Sequence, residues 1–192
     1  MSLAPWCSDM IMLWRMRKWL GLTRKLTRQE ANARLIKRLR EAGMDIGENV
    51  ALVNVTLDTF VPFLIKIGSN CIITHATILA HDAAPAVFGP RTRVGRVTIG
   101  DHVFIGAGAV ILPGVTIGSR SVIGANTTVA RDIPPNSLAT GSPARVVGSV
   151  DDWLSKKELQ GELIDWPGGI VPSDEAVAHA RREIRAHFGL NE

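Results

Sequence analysis

Aliphatic side chains recur at every sixth position between residues 97 and 134: Ile99, Ile105, Ile111, Ile117, Ile123 and Val129. Gly100, Gly106, Gly118 and Gly124 directly follow four of them. Four residues after successive aliphatics stand Val103, Ala109, Val115, Ser121 and Thr127, all small or β-branched. A fixed period of six predicts a hexapeptide β-helix, in which each hexad is one short strand plus a corner. Three hexads close a triangular coil, so the aliphatics face inward as ladders and the small residues beside them permit tight corners. The same frame runs upstream through Val55, Val61, Ile67, Ile73 and Leu79. From Leu79 to Ile99 the step is three hexads plus two, so the frame breaks there. The segment HDAAPAVFGPRTRVGR is that break and reads as a loop leaving the coil at about 81–96. Long excursions from a regular solenoid are where function concentrates.

The ends carry a different pattern. Thr27 and Glu30 form a capping box ahead of an apolar stripe of Leu35, Ile36, Leu39 and Ala42, with Gly43 as the stop. After Val147 the beat ceases. Asp151 or Asp152 is placed to cap a short helix, WPGG breaks it, and Ser173 caps a last helix with Ala176, Val177, Ala180, Ile184 and Phe188 on one face. The organisation is thus a basic arm and helix over 1–48, a β-helix over 49–148 and a helical extension over 149–192.

Charge changes the picture at one place. The net charge is only +4, yet Met10 to Arg40 holds ten Lys/Arg against the single acid Glu30. Trp14 and Trp19 stand among Arg15, Arg17 and Lys18, a composition suited to peripheral contact with an anionic membrane surface. No nucleic-acid motif or interleaved aromatics accompany it. Cys7 and Cys71 lie too far apart for a CxxC or zinc spacing, and no run reaches the roughly 20 apolar residues of a membrane span. The expected location is the cytoplasm, with the inner membrane face as a place of contact.

The stretches IGDHVFIGAGAVILPGVTIG and IGANTTVARDIPPNSLATGSPARVV resemble the hexapeptide-repeat acyltransferases, in the branch of galactoside, maltose and polysaccharide O-acetyltransferases. The resemblance covers about residues 45–148. It implies an all-β solenoid, specifically a left-handed parallel β-helix, a homotrimer, and transfer of acetyl from acetyl-CoA to a sugar or glycan hydroxyl without a metal. It places the general base at His81, in AHDAA at the frame break. Imidazole suits that task because it exchanges a proton near neutral pH. It places pantetheine contacts at Gly106, Ala107 and Ala125, where small residues admit close approach of a ligand, and CoA phosphate contacts at Arg131 and Arg145. Arg131 stands for the family's usual Lys, Ala130 for a Thr, and Phe104 for a frequent Trp. Asn54 and Asp58, in NVTLD, resemble a polar pair that binds sugar hydroxyls, and Asp82 is a candidate to orient the loop or the imidazole.

His75 reads as a rim residue, His102 as a corner residue, and His179 and His187 as solvated. Arg91, Arg93 and Arg96 in the loop suit an acidic acceptor. Two alternatives stand beside acyl transfer: a trimeric scaffold without activity, and a hexapeptide-repeat carbonic anhydrase. The second needs three zinc-binding histidines, and His75, His81 and His102 are not spaced to stack.

Overall fold

The computed structural model describes residues 26–166 and 169–190. The arm before residue 26, with its Trp and Lys/Arg cluster and Cys7, lies outside them, as does the middle of WPGG.

The chain visits three parallel sheets in fixed rotation. Sheet one holds Asp45–Ile46, Ile65–Ile67, Val97–Ile99 and Thr116–Ile117. Sheet two holds Ala51–Val53, Ile72–Thr74, Phe104–Ile105, Val122–Ile123 and Ser137–Thr140. Sheet three holds Thr56–Leu57, Thr77–Ile78, Val110–Ile111 and Thr128–Val129. Each turn of chain therefore adds one short strand to each sheet, and backbone hydrogen bonds run between turns. Inside, the aliphatics stack: Ile46, Ile67, Ile99 and Ile117 on one wall, Leu52, Ile73, Ile105, Ile123 and Ala139 on the second, and Leu57, Ile78, Ile111 and Val129 on the third. Val103, Ala109, Val115, Ser121 and Thr127 are all buried between them, as their spacing required. Between residues 97 and 129 stacked partners such as Phe104 and Val122 are 18 apart, and the step shortens to 16 at the bridge from Ile117 to Ile133.

Upstream the regular frame fails in two places. Ile78, not Leu79, points inward, so the step from Ile73 is five residues. Val55 is only half-buried, and Val61 leads a 3-10 turn, Pro62–Leu64, outside the sheets. Residues 58–64 are thus a second excursion. It was hidden because Val55 and Val61 happen to keep the beat. Both excursions depart just after a sheet-three strand, so they emerge at the same edge of the coil.

Helix α1 (Arg28–Glu41) has the capping box in full, with Thr27 Oγ1 accepting from Glu30 N and Glu30 Oε2 accepting from Thr27 N. Leu39 is buried, with Leu35 and Ile36 packed against the core; Ala42 is instead the exposed C-cap. Asn32 fastens the helix to the first turn, donating to Val50 O at 2.7 Å and accepting from Leu52 N at 2.9 Å. This occupies backbone groups that an edge strand would leave open. At the other end Arg145–Ser149 folds back antiparallel on Ser137–Thr140. Helix α2 (Val150–Leu159) is capped by Ser149 rather than by Asp151 or Asp152, because Ser149 Oγ meets Asp152 N at 3.0 Å. Asp151 is engaged elsewhere, with Arg120 and Asn136. Helix α3 (Asp174–His187) is capped by Ser173 and buries Ala180, while Phe188 stays exposed. It reaches α1 through Arg28–Asp174. Among the described residues no helix is long and apolar enough to cross a membrane.

Candidate active site

His81 opens the larger excursion. The loop expected over 81–96 is a hairpin arm: His81–Asp82 pairs antiparallel with Arg93–Val94, across a 3-10 turn at Ala84–Val87. Gly95 returns the chain to the coil by donating to Ala80 O at 2.9 Å. That closure requires glycine, since a Cβ at residue 95 would stand 2.5 Å from Gly114 N.

The partner of His81 is Asp58, from the smaller excursion 23 residues earlier. Leu57 stacks on Ile78, so the residues that follow each strand meet at the same edge. Asp58 is only 6% exposed. Its Oδ2 accepts from His81 Nδ1, from His81 N at 2.8 Å and from Ala80 N at 3.0 Å, while Oδ1 accepts from Phe60 N at 3.0 Å. Burial pushes the carboxyl up, but the His81 hydrogen bond and the backbone donors of Ala80, Phe60 and His81 outweigh it and hold the pKa below the usual 3.8. The result is a fixed anion behind the imidazole. With Nδ1–H committed to it, Nε2 is the nitrogen left to accept a proton. The imidazole is 31% exposed and lies against the ring of Phe60, centroids 5.1 Å apart.

Asp58, expected to meet a sugar, has its carboxylate turned onto His81 and the backbone. Asp82, a candidate to orient the loop or the imidazole, accepts from Ala84 N at 2.9 Å and so holds the start of the loop's 3-10 turn. Asn54 is exposed and lies 3.3 Å from His75 Nε2. Phe60 was not singled out by sequence; TFVPFL shows no pattern that marks one of its aromatics for a site.

The remaining candidates sort onto two edges of the coil. Gly106 and Ala107 turn the chain from sheet two to sheet three, Ala125 does so one turn later, and one turn beyond Gly141–Ala144 lies against Thr128 as the chain folds back within sheet two. Asn54 and His75 occupy the same edge in the two earlier turns. Arg145 follows Ala144 at the far end, exposed, with Nη1 donating to Ala144 O. Gly106 has a packing reason of its own, since a Cβ there would meet Ala125 N at 2.8 Å. The other edge, from sheet three to sheet one, carries Asp58, His81 and, two turns above Ile78, the exposed Arg131. His102 sits on the third edge, so His75, His81 and His102 lie on three different edges. Among the described residues no group of three or more His, Cys, Asp or Glu is placed to hold a metal ion.

Cys71 is fully buried, and its Sγ donates to Gly100 O at 3.1 Å. Burial pushes its thiol up, so it is a packed, protonated group rather than a nucleophile.

Residues 96–131 match the family described as bacterial transferase hexapeptide (six repeats). YvoF of Bacillus subtilis (strain 168), provisionally named an acetyltransferase, is 36% identical over 122 residues, covering 62% of this chain and 65% of that protein. A hexapeptide-repeat-containing acetyltransferase of Vibrio cholerae O1 biovar eltor, solved with acetyl coenzyme A, is 31% identical over 56% of this chain and 61% of its own, with a TM-score of 0.50. A maltose O-acetyltransferase from Clostridium difficile 630 is 30% identical over 58% of this chain and 72% of its own, with a TM-score of 0.47. The match thus spans just under two thirds of YvoF and of the Vibrio protein. Residues 96–131 thus carry the bacterial transferase hexapeptide repeat, in keeping with the six-residue beat and the three-walled ladder, and the chain is similar to acetyltransferases of that repeat.

Proposed function

We propose that this protein transfers an acetyl group from acetyl-CoA directly to a hydroxyl of a sugar or glycan, with His81 as general base and Asp58 as its positioning residue. The observation that carries the reading is the buried Asp58 carboxylate bound to Nδ1 of the partly exposed His81, which leaves Nε2 as the nitrogen not committed to it. In the reaction, Nε2 takes the proton of the acceptor hydroxyl as its oxygen attacks the thioester carbonyl carbon. Backbone N–H groups of the Gly106–Ala107 corner serve the developing oxyanion. The C–S bond then breaks, and the CoA thiolate takes the proton back from Nε2. Asp58 stabilises the imidazolium between these two steps and itself stays ionised. General-base help of this kind is worth about 10²- to 10⁴-fold in rate.

The two edges give the reading its assembly. The corner series Gly106–Ala107, Ala125 and Gly141–Ala144 rises over two turns, roughly 10 Å, towards Arg145. That is a rail of small residues ending in a guanidinium, suited to a pantetheine arm ending in phosphates. His81 belongs to a different edge, shared with Arg131. One copy therefore supplies the rail and a second copy supplies His81 and Arg131, which supports a homotrimer of left-handed coils with acetyl-CoA in each groove. Asn54 lies on the rail edge below Gly106, where an acceptor hydroxyl facing a neighbour's His81 meets it.

The test is free-thiol release from acetyl-CoA with a panel of sugars and glycans, for the wild type and His81→Ala. Acceptor-dependent release that is lost in the variant supports the reading. Release undiminished in His81→Ala removes His81 from the mechanism. No release with any acceptor, together with no CoA binding, returns the chain to the scaffold alternative. Co-assembly of His81→Ala with Arg145→Ala chains tests the shared site: mixed trimers regain activity that neither variant shows alone.

A further inference from the structure

The surroundings of His81 are one-sided. Val94 is its direct partner across the antiparallel arm, so their side chains share a face. Val94 is 54% exposed and Phe60 72% exposed. The imidazole therefore sits between two bare apolar side chains. The polar pair next along the arm is turned away from it. Asp82 and Arg93 form the next pair and project to the opposite face, where Asp82 holds its own turn and Arg93 Nη2 donates to Pro113 O at 2.8 Å. Phe60 is held in place by its backbone rather than its ring, because its N–H is one of the donors that fixes Asp58. The same short turn thus orients the base and presents an aromatic face beside it.

An exposed aromatic face carries partial negative charge and attracts polarised C–H groups. We infer that Phe60 and Val94 form the acceptor platform: the acceptor lays a carbon-bound ring face, that of a pyranose, on Phe60, with the reacting hydroxyl at the ring's rim against His81 Nε2. This deepens, and rests on, the acyl-transfer reading. It makes the site selective for ring acceptors over small acyclic alcohols, whose hydroxyl reaches the base without any face to stack. Phe60 is then a binding residue of the acceptor and not of acetyl-CoA.

The experiment compares wild type, Phe60→Ala, Phe60→Trp and Val94→Ser with methyl galactopyranoside, methyl glucopyranoside and L-serine as acceptors. Phe60→Ala is expected to raise KM for the pyranosides about tenfold while KM for acetyl-CoA stays put. Phe60→Trp restores the pyranoside KM, and Val94→Ser shifts it in the same direction as Phe60→Ala by a smaller factor. An unchanged pyranoside KM in Phe60→Ala overturns the platform, as does wild-type use of L-serine on a par with the pyranosides. So does a changed oligomeric mass in Phe60→Ala that Phe60→Trp fails to repair, which makes Phe60 an assembly residue. With His81→Ala inactive and Phe60→Ala normal, only the platform falls. If the wild type releases no thiol with any acceptor, saturation-transfer NMR with the methyl pyranosides decides: signals lost in Phe60→Ala uphold the platform, and none in the wild type overturns it.

Discussion

Replacing Asp58 by Asn separates the two things that this carboxylate does. In the wild type its oxygens accept four hydrogen bonds: from Phe60 N, Ala80 N, His81 N and His81 Nδ1. An Asn keeps one acceptor oxygen and turns an NH₂ towards groups that are themselves donors. If two backbone donors lose their partner in a buried site, at about 1–3 kcal/mol each, the fold weakens by roughly 2–6 kcal/mol. The imidazole loses the anion that fixed Nδ1–H, so the tautomer with Nε2 free is no longer enforced. The expected loss in kcat is about 10²-fold or more, within the range that general-base help supplies. The assay is thiol release at saturating acceptor and acetyl-CoA, beside urea unfolding of both proteins. A pH series adds a sign. The folded pKa of Asp58 lies below its unfolded value, so its contribution to stability is present above that unfolded value and is lost as pH falls through the folded one. Wild-type stability should therefore fall more steeply under acid than that of Asp58→Asn. A kcat within twofold of wild type in Asp58→Asn, with His81→Ala inactive, would refute the positioning role.

Further outcomes follow from the coil. Ile105→Ala opens a hole between Ile73 and Ile123 in a fully buried ladder and should cost about 2–5 kcal/mol in urea unfolding. Gly95→Ala forces a Cβ onto the Gly114 backbone, so it should displace the arm and lower activity more than stability; a fully active Gly95→Ala shows that the arm's root tolerates the shift. Thr27→Ala removes the capping box of α1 and should lower stability by about 1 kcal/mol without touching KM for either substrate. In a Cys7→Ser background Cys71 should resist thiol reagents until the protein unfolds, because it is buried and protonated.

The fold was legible where the chain obeys one rule per residue. Between residues 97 and 129 every sixth residue is an inward aliphatic with a buried small or β-branched residue four places on, and the observed register is 18 as the period demands. Upstream, the aliphatic identity of Val55, Val61 and Leu79 imitated the frame. A hydrophobic residue that packs beneath a 3-10 turn looks, in sequence, like one that packs inside a coil. Only the stacking partners tell them apart: Ile78 lies on Ile111, and Leu79 does not.

The same ambiguity hid the role of Asp58. In sequence it stood four residues from Asn54 and resembled a hydroxyl-binding pair, while the carboxylate next to His81 was that of Asp82. What joins Asp58 to His81 is the turn-to-turn register, Leu57 on Ile78, which brings the residues after each strand to one edge. His81 and its carboxylate partner thus come from two excursions that are remote in sequence but adjacent in the stack. This placement has a physical advantage: the ladder that fixes their separation is the buried core itself. A loop carrying both residues would have to give up its own entropy to hold them. Here the ordering is already imposed by folding, and each excursion can vary in length and composition while Asp58 and His81 keep their distance. Phe60 and Val94, exposed on the outer parts of those excursions, are the side chains that the proposed acceptor platform would match to its ligand without disturbing the buried contact of Asp58 with His81.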